Sequence, residues 1–402
     1  MINTRVPSNL LVSRVATDIV KQQNSLAEIQ EQISTGKKVN RPSDAPAESA
    51  HLLTMNETVS RLNQYNKNSS IAESQLSLEE GALVATTTAL TRIRDLALRA
   101  NSGQVNKGFR EEINSEVKLK LAELFSTANS RDSFGNFLFS GSNIAQQPFK
   151  SGLPVVYSGS DDTAKMEISL GRTITTGDSG IDVFMRVRNG NGDFKTSADE
   201  TNNGTGIISW GAVSDTSLYQ GEKYTISFTS PTSYDVIDRA SGAAIATAQP
   251  FQDDELIEFN GVTTRITGTP DTGDSFFVDP SGNQDIFSTI SKLVNALDEE
   301  PFSESEQSRM RANIDDAMGE IDNALDHVNT IRASVGSRLS SIDASRDENS
   351  NIELQIERTK RSVEDVDIAE AVTQLQTRAN SLEIIQASFA RIEGLSLFNY
   401  MR

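Results

Sequence analysis

The side chains able to do chemistry are few and poorly placed for it. The densest titratable groups are two carboxylate runs, Asp253-Asp254-Glu255 and Asp298-Glu299-Glu300. Paired carboxylates act as general acid and base when burial drives their pKa values apart, but neighbours in a run ordinarily form a solvated face. Asn189-Gly-Asn-Gly-Asp-Phe194 lacks both the third glycine of a dinucleotide motif and the lysine of a phosphate loop, so it reads as a turn. Asp279-Pro-Ser-Gly-Asn-Gln-Asp285 offers oxygen ligands, yet its glycine is misplaced for a calcium loop and the closing glutamate is absent. It reads as a strand-ending turn. The two histidines, His51 and His327, sit in polar helical company, and no Gly-x-Ser-x-Gly elbow is present. With no cysteine, disulfides, thiolate metal sites and cysteine nucleophiles are excluded. No catalytic, metal-binding or cofactor-binding residue is nominated, no cofactor is expected, and the protein is not expected to be an enzyme.

Binding to polyanions is disfavoured too. The 402 residues carry 56 acidic against 37 basic side chains, a formal net charge of -19, which repels a phosphate backbone and an anionic membrane surface. No apolar run approaches the roughly 18 residues of a spanning helix, and the start, MINTRVPSNLLVSRVATD, does not have the basic-then-apolar layout of an ordinary cleaved signal. At roughly 150 residues per domain the length predicts two or three domains. The hydrophobic fraction of 36% rises to about 42% with the 25 glycines, slightly thin for globular domains at about 45–50%, which points to an elongated protein.

Breakers of regular structure divide the chain. Residues 141–285 hold 17 of the 25 glycines, 6 of the 10 prolines and the only tryptophan, Trp210. The flanks are therefore expected to be helical and the middle rich in turns. In the N-terminal flank Val12, Val15, Ile19, Gln22, Leu26, Ile29 and Ile33 recur in steps of 3 and 4, one stripe of a helix that should stop at Gly36. A second stripe runs from Leu76 through Glu79, Leu83, Thr86, Leu90, Ile93 and Ala97 to Ala100. A third runs from Ile314 to Ile342 and is placed to pack antiparallel on the second. The last begins near Ile352 and passes through Ile356, Val363, Val366, Val372, Leu375, Ala379, Leu382, Phe389 and Ile392 without a proline. One helix of about forty residues would span about 60 Å and needs a partner along its length.

The middle reads as antiparallel β structure. Tyr224-Thr-Ile-Ser-Phe-Thr, Tyr234-Asp-Val-Ile-Asp, Leu256-Ile-Glu-Phe and Ser275-Phe-Phe-Val alternate apolar and polar residues, with turn signals at Ser241-Gly242 and Asn260-Gly261. It holds 13 of the 24 aromatic residues, enough for a sandwich or small barrel with few but large core side chains. The fold class is thus α+β: a long-helix coiled coil or bundle formed by both chain ends, with an inserted antiparallel β domain. The expected divisions are 1–45 plus 350–402 as a terminal coiled-coil domain, 46–145 plus 286–349 as a helical bundle, and 146–285 as the β-rich outer domain. A two-helix unit cannot enclose its own core, so the ends are expected to pack against further copies or related subunits.

Leu26-Ala-Glu-Ile-Gln-Glu-Gln-Ile-Ser-Thr-Gly-Lys-Lys-Val-Asn-Arg-Pro-Ser-Asp-Ala-Pro-Ala47 resembles the N-terminal signature of the bacterial flagellin family, and Gly36 to Asp44 is similar to its hook-associated branch. Val363-Glu-Asp-Val-Asp-Ile-Ala-Glu-Ala-Val-Thr-Gln-Leu375, Gln386-Ala-Ser-Phe389 and the closing Leu395-Ser-Leu-Phe-Asn-Tyr400 are similar to the family's C-terminal helix.

The resemblance implies a structural subunit of the flagellum at the hook–filament junction. Such a subunit is exported unfolded by the flagellar type III apparatus and ordered on assembly, as coupled folding would require. It implies assembly surfaces at Val12, Val15, Ile19, Leu26, Ile29 and Ile33 and at Val363, Val366, Val372, Leu375, Leu382, Phe389, Ile392, Leu397 and Phe398, with a bend at Asn40, Arg41, Pro42 and Asp44. Implied partners are further copies of the chain, neighbouring hook-associated protein 1 and flagellin, and a cytoplasmic export chaperone on the C-terminal helix. The implied location is the extracellular flagellum. Two other readings stay open: a flagellin filament subunit, against which stand Asn40-Arg-Pro-Ser-Asp44 and Phe398-Asn-Tyr400, and a secreted adhesin-like stalk whose β domain binds a ligand.

Overall fold

The computed structural model describes residues 8–102, 106–150, 152 and 154–400, and of 8–12 and 392–400 the backbone alone. Among the described residues the α-helices are α1 (Ser8–Thr35), α2 (Pro46–Ala100), α3 (Lys107–Ala128), α4 (Ile286–Asp298), α5 (Glu304–Glu364) and α6 (Ile368–Tyr400). Pro46 opens α2, where a missing N–H costs nothing. The chain divides into two compact units, Met1–Lys67 with Ser345–Arg402, and Asn68–Ala344.

In the second unit α2 and α5 run antiparallel. Arg94 reaches Asp322, and Arg332 reaches Glu80 at 2.9 Å, so rising numbers on one helix meet falling numbers on the other. The expected stripes form the seam: Leu76, Leu83, Leu90 and Ile93 are buried, as are Ile314, Ile321, Val328, Val335 and Ile342. Each such side chain is worth about 1.5–3 kcal/mol relative to exposure. The two polar members of the α2 stripe, Glu79 and Thr86, are buried as well. Thr86 satisfies its hydroxyl on the Ala82 carbonyl at 2.9 Å.

The β region contributes to two cores. Strands Ala244–Pro250, Ser233–Asp238, Tyr224–Ser230, Ser275–Pro280 and Phe194–Ala198 lie side by side in that order, all antiparallel. A second sheet is built on the hairpin Leu256–Phe259 and Val262–Thr267, whose turn is the expected Asn260-Gly261, both at positive φ (40° and 75°). Between the sheets lie Phe194, Tyr224, Ile226, Phe228, Ile257, Phe259, Val262 and Phe276. Phe149, Val155, Ile168, Ile174, Val183, Phe184 and Val187 belong to another core. Phe149 and Phe184 pack with Phe139 and Phe287 at ring-centroid distances of 5.2–5.8 Å, in the core shared with the helices. The sequence expectation took 146–285 as one β domain. The buried residues of the sandwich core run from Phe194 to Val278, and Phe149, Tyr157 and Phe184 pack in the helical core.

A polar seat joins sandwich and helices. Along one face of α5, Asp316 accepts from the Trp210 indole, Glu320 and Asp316 pair with Lys195, and the Asn323 amide donates to the carbonyls of Arg188 and Gly190 at 3.1 and 2.7 Å. Burial works against the charge on Lys195, but the two carboxylates outweigh it and hold its pKa above the ordinary range.

Candidate assembly surface

In the first unit α1 and α6 pair antiparallel. Gln22 donates to the Arg378 carbonyl at 3.4 Å, and Lys37 forms an antiparallel bridge with Asp365. The face of α1 that meets α6 carries the expected stripe: Ile29 is buried, whereas Val15, Ile19, Leu26 and Ile33 are half-buried. On α6 Ala371 is buried and Leu375, Leu382 and Phe389 are half-buried; Val363 and Val366, just before it, are half-buried too, and Val372 is 38% exposed. The side chains of Val12, Ile392, Leu397 and Phe398 lie outside the described ones. Val20, Ile368 and Ile384 stand 54–66% exposed on the same pair of helices. Two helices thus half-cover one another's apolar stripes and leave further apolar surface in water.

One expectation is corrected here. The last stripe does not lie on a single helix from Ile352 onward: its first part ends α5, and α6 starts afresh at Ile368. The interruption is built. Lys38 N–H donates to the Glu364 carbonyl at 2.6 Å and Val366 N–H to that of Gly36 at 3.0 Å, so the helical ladder ends with Asp365 N–H on the Arg361 carbonyl at 2.9 Å and Val366 lies outside it. Asp367 then caps α6, its carboxylate accepting from Ala369 and Glu370 N–H at 2.9 and 3.1 Å. Asp367-x-x-Glu370 is capping-box spacing, the signal that locates this start in the sequence.

The partner strand is the segment after α1. Gly36 ends the helix at φ 72°, its N–H on the Gln32 carbonyl. Gln32 donates to the Lys38 carbonyl at 3.1 Å, Val39 is buried, and Lys37 forms an ion pair with Glu364, whose hydrogen bond raises the lysine pKa. Beyond it, Asn40 is half-buried, accepts from Thr35 and donates to the Lys37 carbonyl. Arg41 N–H donates to the Asp44 carboxylate at 2.8 Å while Asp44 N–H returns to the Arg41 carbonyl at 3.0 Å, a turn with Pro42 at its second position. Arg41 also holds both oxygens of Glu31 at 3.1 Å. Arg41, Pro42 and Asp44 are exposed. Sequence reasoning nominated the turn but missed Lys37, Val39, Glu364, Asp365 and Asp367, although all lie in the two quoted signatures.

The side chains considered for chemistry have structural work. Asp253 accepts from Gly268 N–H, Asp254 faces Arg265, Asp298 holds Asn114 and Lys118, and Glu300 holds Lys107. Asp285 caps α4, Asp279 pairs with Arg239, and Asn191 closes its own turn on Asp193 and Phe194 N–H. His327 meets the Asp182 carbonyl at 2.7 Å and His51 is exposed. Among the described residues no His, Asp or Glu cluster could hold a metal ion, and no helix is long and apolar enough to cross a membrane.

Paired helical ends whose signatures meet, with a β sandwich carried between them, define a flagellin-type subunit. The bacterial flagellin N-terminal and C-terminal helical regions match residues 2–144 and 318–401, and a D2-like domain of flagellar hook-associated protein 1 matches 198–280. The chain belongs to the FlgL family, the flagellar hook-associated protein 3 branch of the flagellins. It is 30% identical to FlgL of Xanthomonas campestris, covering 73% of this chain and 99% of that one, with a TM-score of 0.68. To the flagellar junction protein FlgL of Legionella pneumophila it is 26% identical, covering 78% and 99%, with a TM-score of 0.70. Flagellar hook-associated protein 3 of Salmonella typhimurium is 25% identical over 183 residues, 46% of this chain and 57% of that protein. The chain therefore spans less than two thirds of that curated relative. Flagellins match over less of their own length, 36–44%.

Proposed function

We propose that this chain is the structural subunit that joins the flagellar hook to the filament, a component of the extracellular flagellum without catalytic activity. The observation that carries the reading is the half-covered pair of α1 and α6, pinned where the two signatures meet at Lys37 and Asp365. Burying the remaining apolar faces requires neighbours, and the neighbours are further copies of the chain, hook-associated protein 1 on one side and flagellin on the other. Val15, Ile19, Leu26, Ile29 and Ile33 act with Val363, Val366, Val372, Leu375, Leu382 and Phe389 as the assembly surface, and Asn40 to Asp44 set the bend that leads into α2. The chain is exported unfolded by the flagellar type III apparatus, with a cytoplasmic chaperone on the C-terminal helix until then. Three bodies carry out the role: the terminal pair, the helical bundle and the outer sandwich.

Deleting the gene tests the reading. Cells should build hooks without filaments and release flagellin monomers, and this chain supplied in trans should restore attachment. A deletion strain that still carries attached filaments would sink the proposal.

A further inference from the structure

Among the buried polar atoms of the bundle without a hydrogen-bond partner, two belong to residues one helical turn apart that line the same cavity. Glu79 is 3% exposed, and its Oε1 accepts from Asp178 N–H at 2.9 Å. Its Oε2 is buried with no hydrogen-bond partner, and so is Oε1 of Gln75, one turn earlier on the same helix. Both residues line a cavity of about 100 Å³ between α2, the loop after α3 and the 176–178 turn. Two acceptors cannot satisfy each other, and a buried acceptor without a donor costs about 1–3 kcal/mol.

Nothing charged around the cavity supplies the missing donor. Asp178 faces Glu79 from the turn, and its carboxylate is taken by Arg338 of α5. Asp132, from the loop after α3, adds a second negative charge and spends its oxygens on Phe134, Asn136 and the Asn136 amide. The remaining lining residues are uncharged. Burial, and then the charge of Asp178, push the Glu79 carboxyl up to about 8, against the pull of Arg338.

We propose that Glu79 is a proton-binding site of the folded subunit: its Oε2 carries a proton donated to Gln75 Oε1, and alkaline loss of that proton lowers the stability of the fold. The proton supplies the donor that both oxygens lack and removes one of three negative charges around a small cavity. Side chains four apart on a helix are within reach for this bond. The sign follows from linkage: the folded chain holds a proton that the unfolded chain releases at an ordinary carboxyl pKa, so stability falls as pH rises from about 4.5 and levels off above about 8.

The test compares the full-length protein with its Glu79→Gln variant, the amide standing in for the protonated acid. Melting temperatures should coincide near pH 5 and diverge in favour of the variant as pH rises to about 8, then stay apart. Unfolding in urea at pH 6.5 without buffer should release about one proton more per chain from the natural protein than from the variant. Should the variant fail to fold, an infrared titration of the natural protein alone must show a protonated carboxyl lost near pH 8. A pH-independent gap, equal proton release, or no such carboxyl would overturn the proposal and leave the Gln75 amide or a water molecule as the donor.

Discussion

Gly319 of α5 lies directly beneath Trp210. A β carbon at position 319 would stand 2.4 Å from the indole ring, closer than any real contact, so the ring can sit on the helix only because that residue is glycine. Gly319→Ala should therefore lift the indole and break its bond to Asp316, at a cost of about 1–3 kcal/mol. Trp210 is the only tryptophan, so its fluorescence reports the change without interference. A red-shifted emission and a lower urea midpoint are expected; unchanged emission would contradict the seat.

The turn after α1 makes a second demand on glycine. Gly36 sits at φ 72° in open space, so the cost of a side chain there is conformational and not steric. Gly36→Asn should be tolerated better than Gly36→Val, because asparagine enters the left-handed region and a β-branched residue does not. Filament attachment in a complemented deletion strain should rank glycine, then asparagine, then valine.

Asp367 restarts the helix that the bridge interrupts. Asp367→Ala should remove about 0.5–2 kcal/mol of cap energy and fray the start of α6, while Asp367→Ser should restore most of it. Hydrogen exchange at Ala369 and Glu370, whose N–H groups the carboxylate holds, is the direct measurement.

Leu382 of α6 is half-buried. Leu382→Asp should abolish filament attachment or chaperone capture while the sandwich keeps its Trp210 fluorescence. Normal motility of this variant would refute the assembly role of the pair.

Period and punctuation made much of this fold legible. The stripes on α2 and α5 were readable because their partners are each other, and Gly36 and Asn260-Gly261 act through local backbone geometry. The break at residues 365–367 was not, since apolar spacing continues through it and the cause is a strand contact with Lys37 from the other end of the chain. The membership of Phe149 and Phe184 in the helical core was hidden for a similar reason: alternation marks a strand but does not say which core receives it. The Glu79 site looked like a mere interruption in a stripe. The proposed assembly residues came from the stripes and signatures, and even there the contacts of Gly36, Lys38 and Val366 pass through backbone atoms that carry no residue type, while the Lys37–Glu364 ion pair joins opposite ends of the chain.

The bridge between Lys37 and Asp365 also turns everything between them into a closed loop. The entropic cost of closing a loop grows only with the logarithm of its length, about 0.6 kcal/mol for each doubling. An enlarged, trimmed or exchanged sandwich would therefore change the cost of bringing the two ends together very little. The anchor and its cargo are energetically almost independent, so the exterior can be remodelled while the attachment stays as it is.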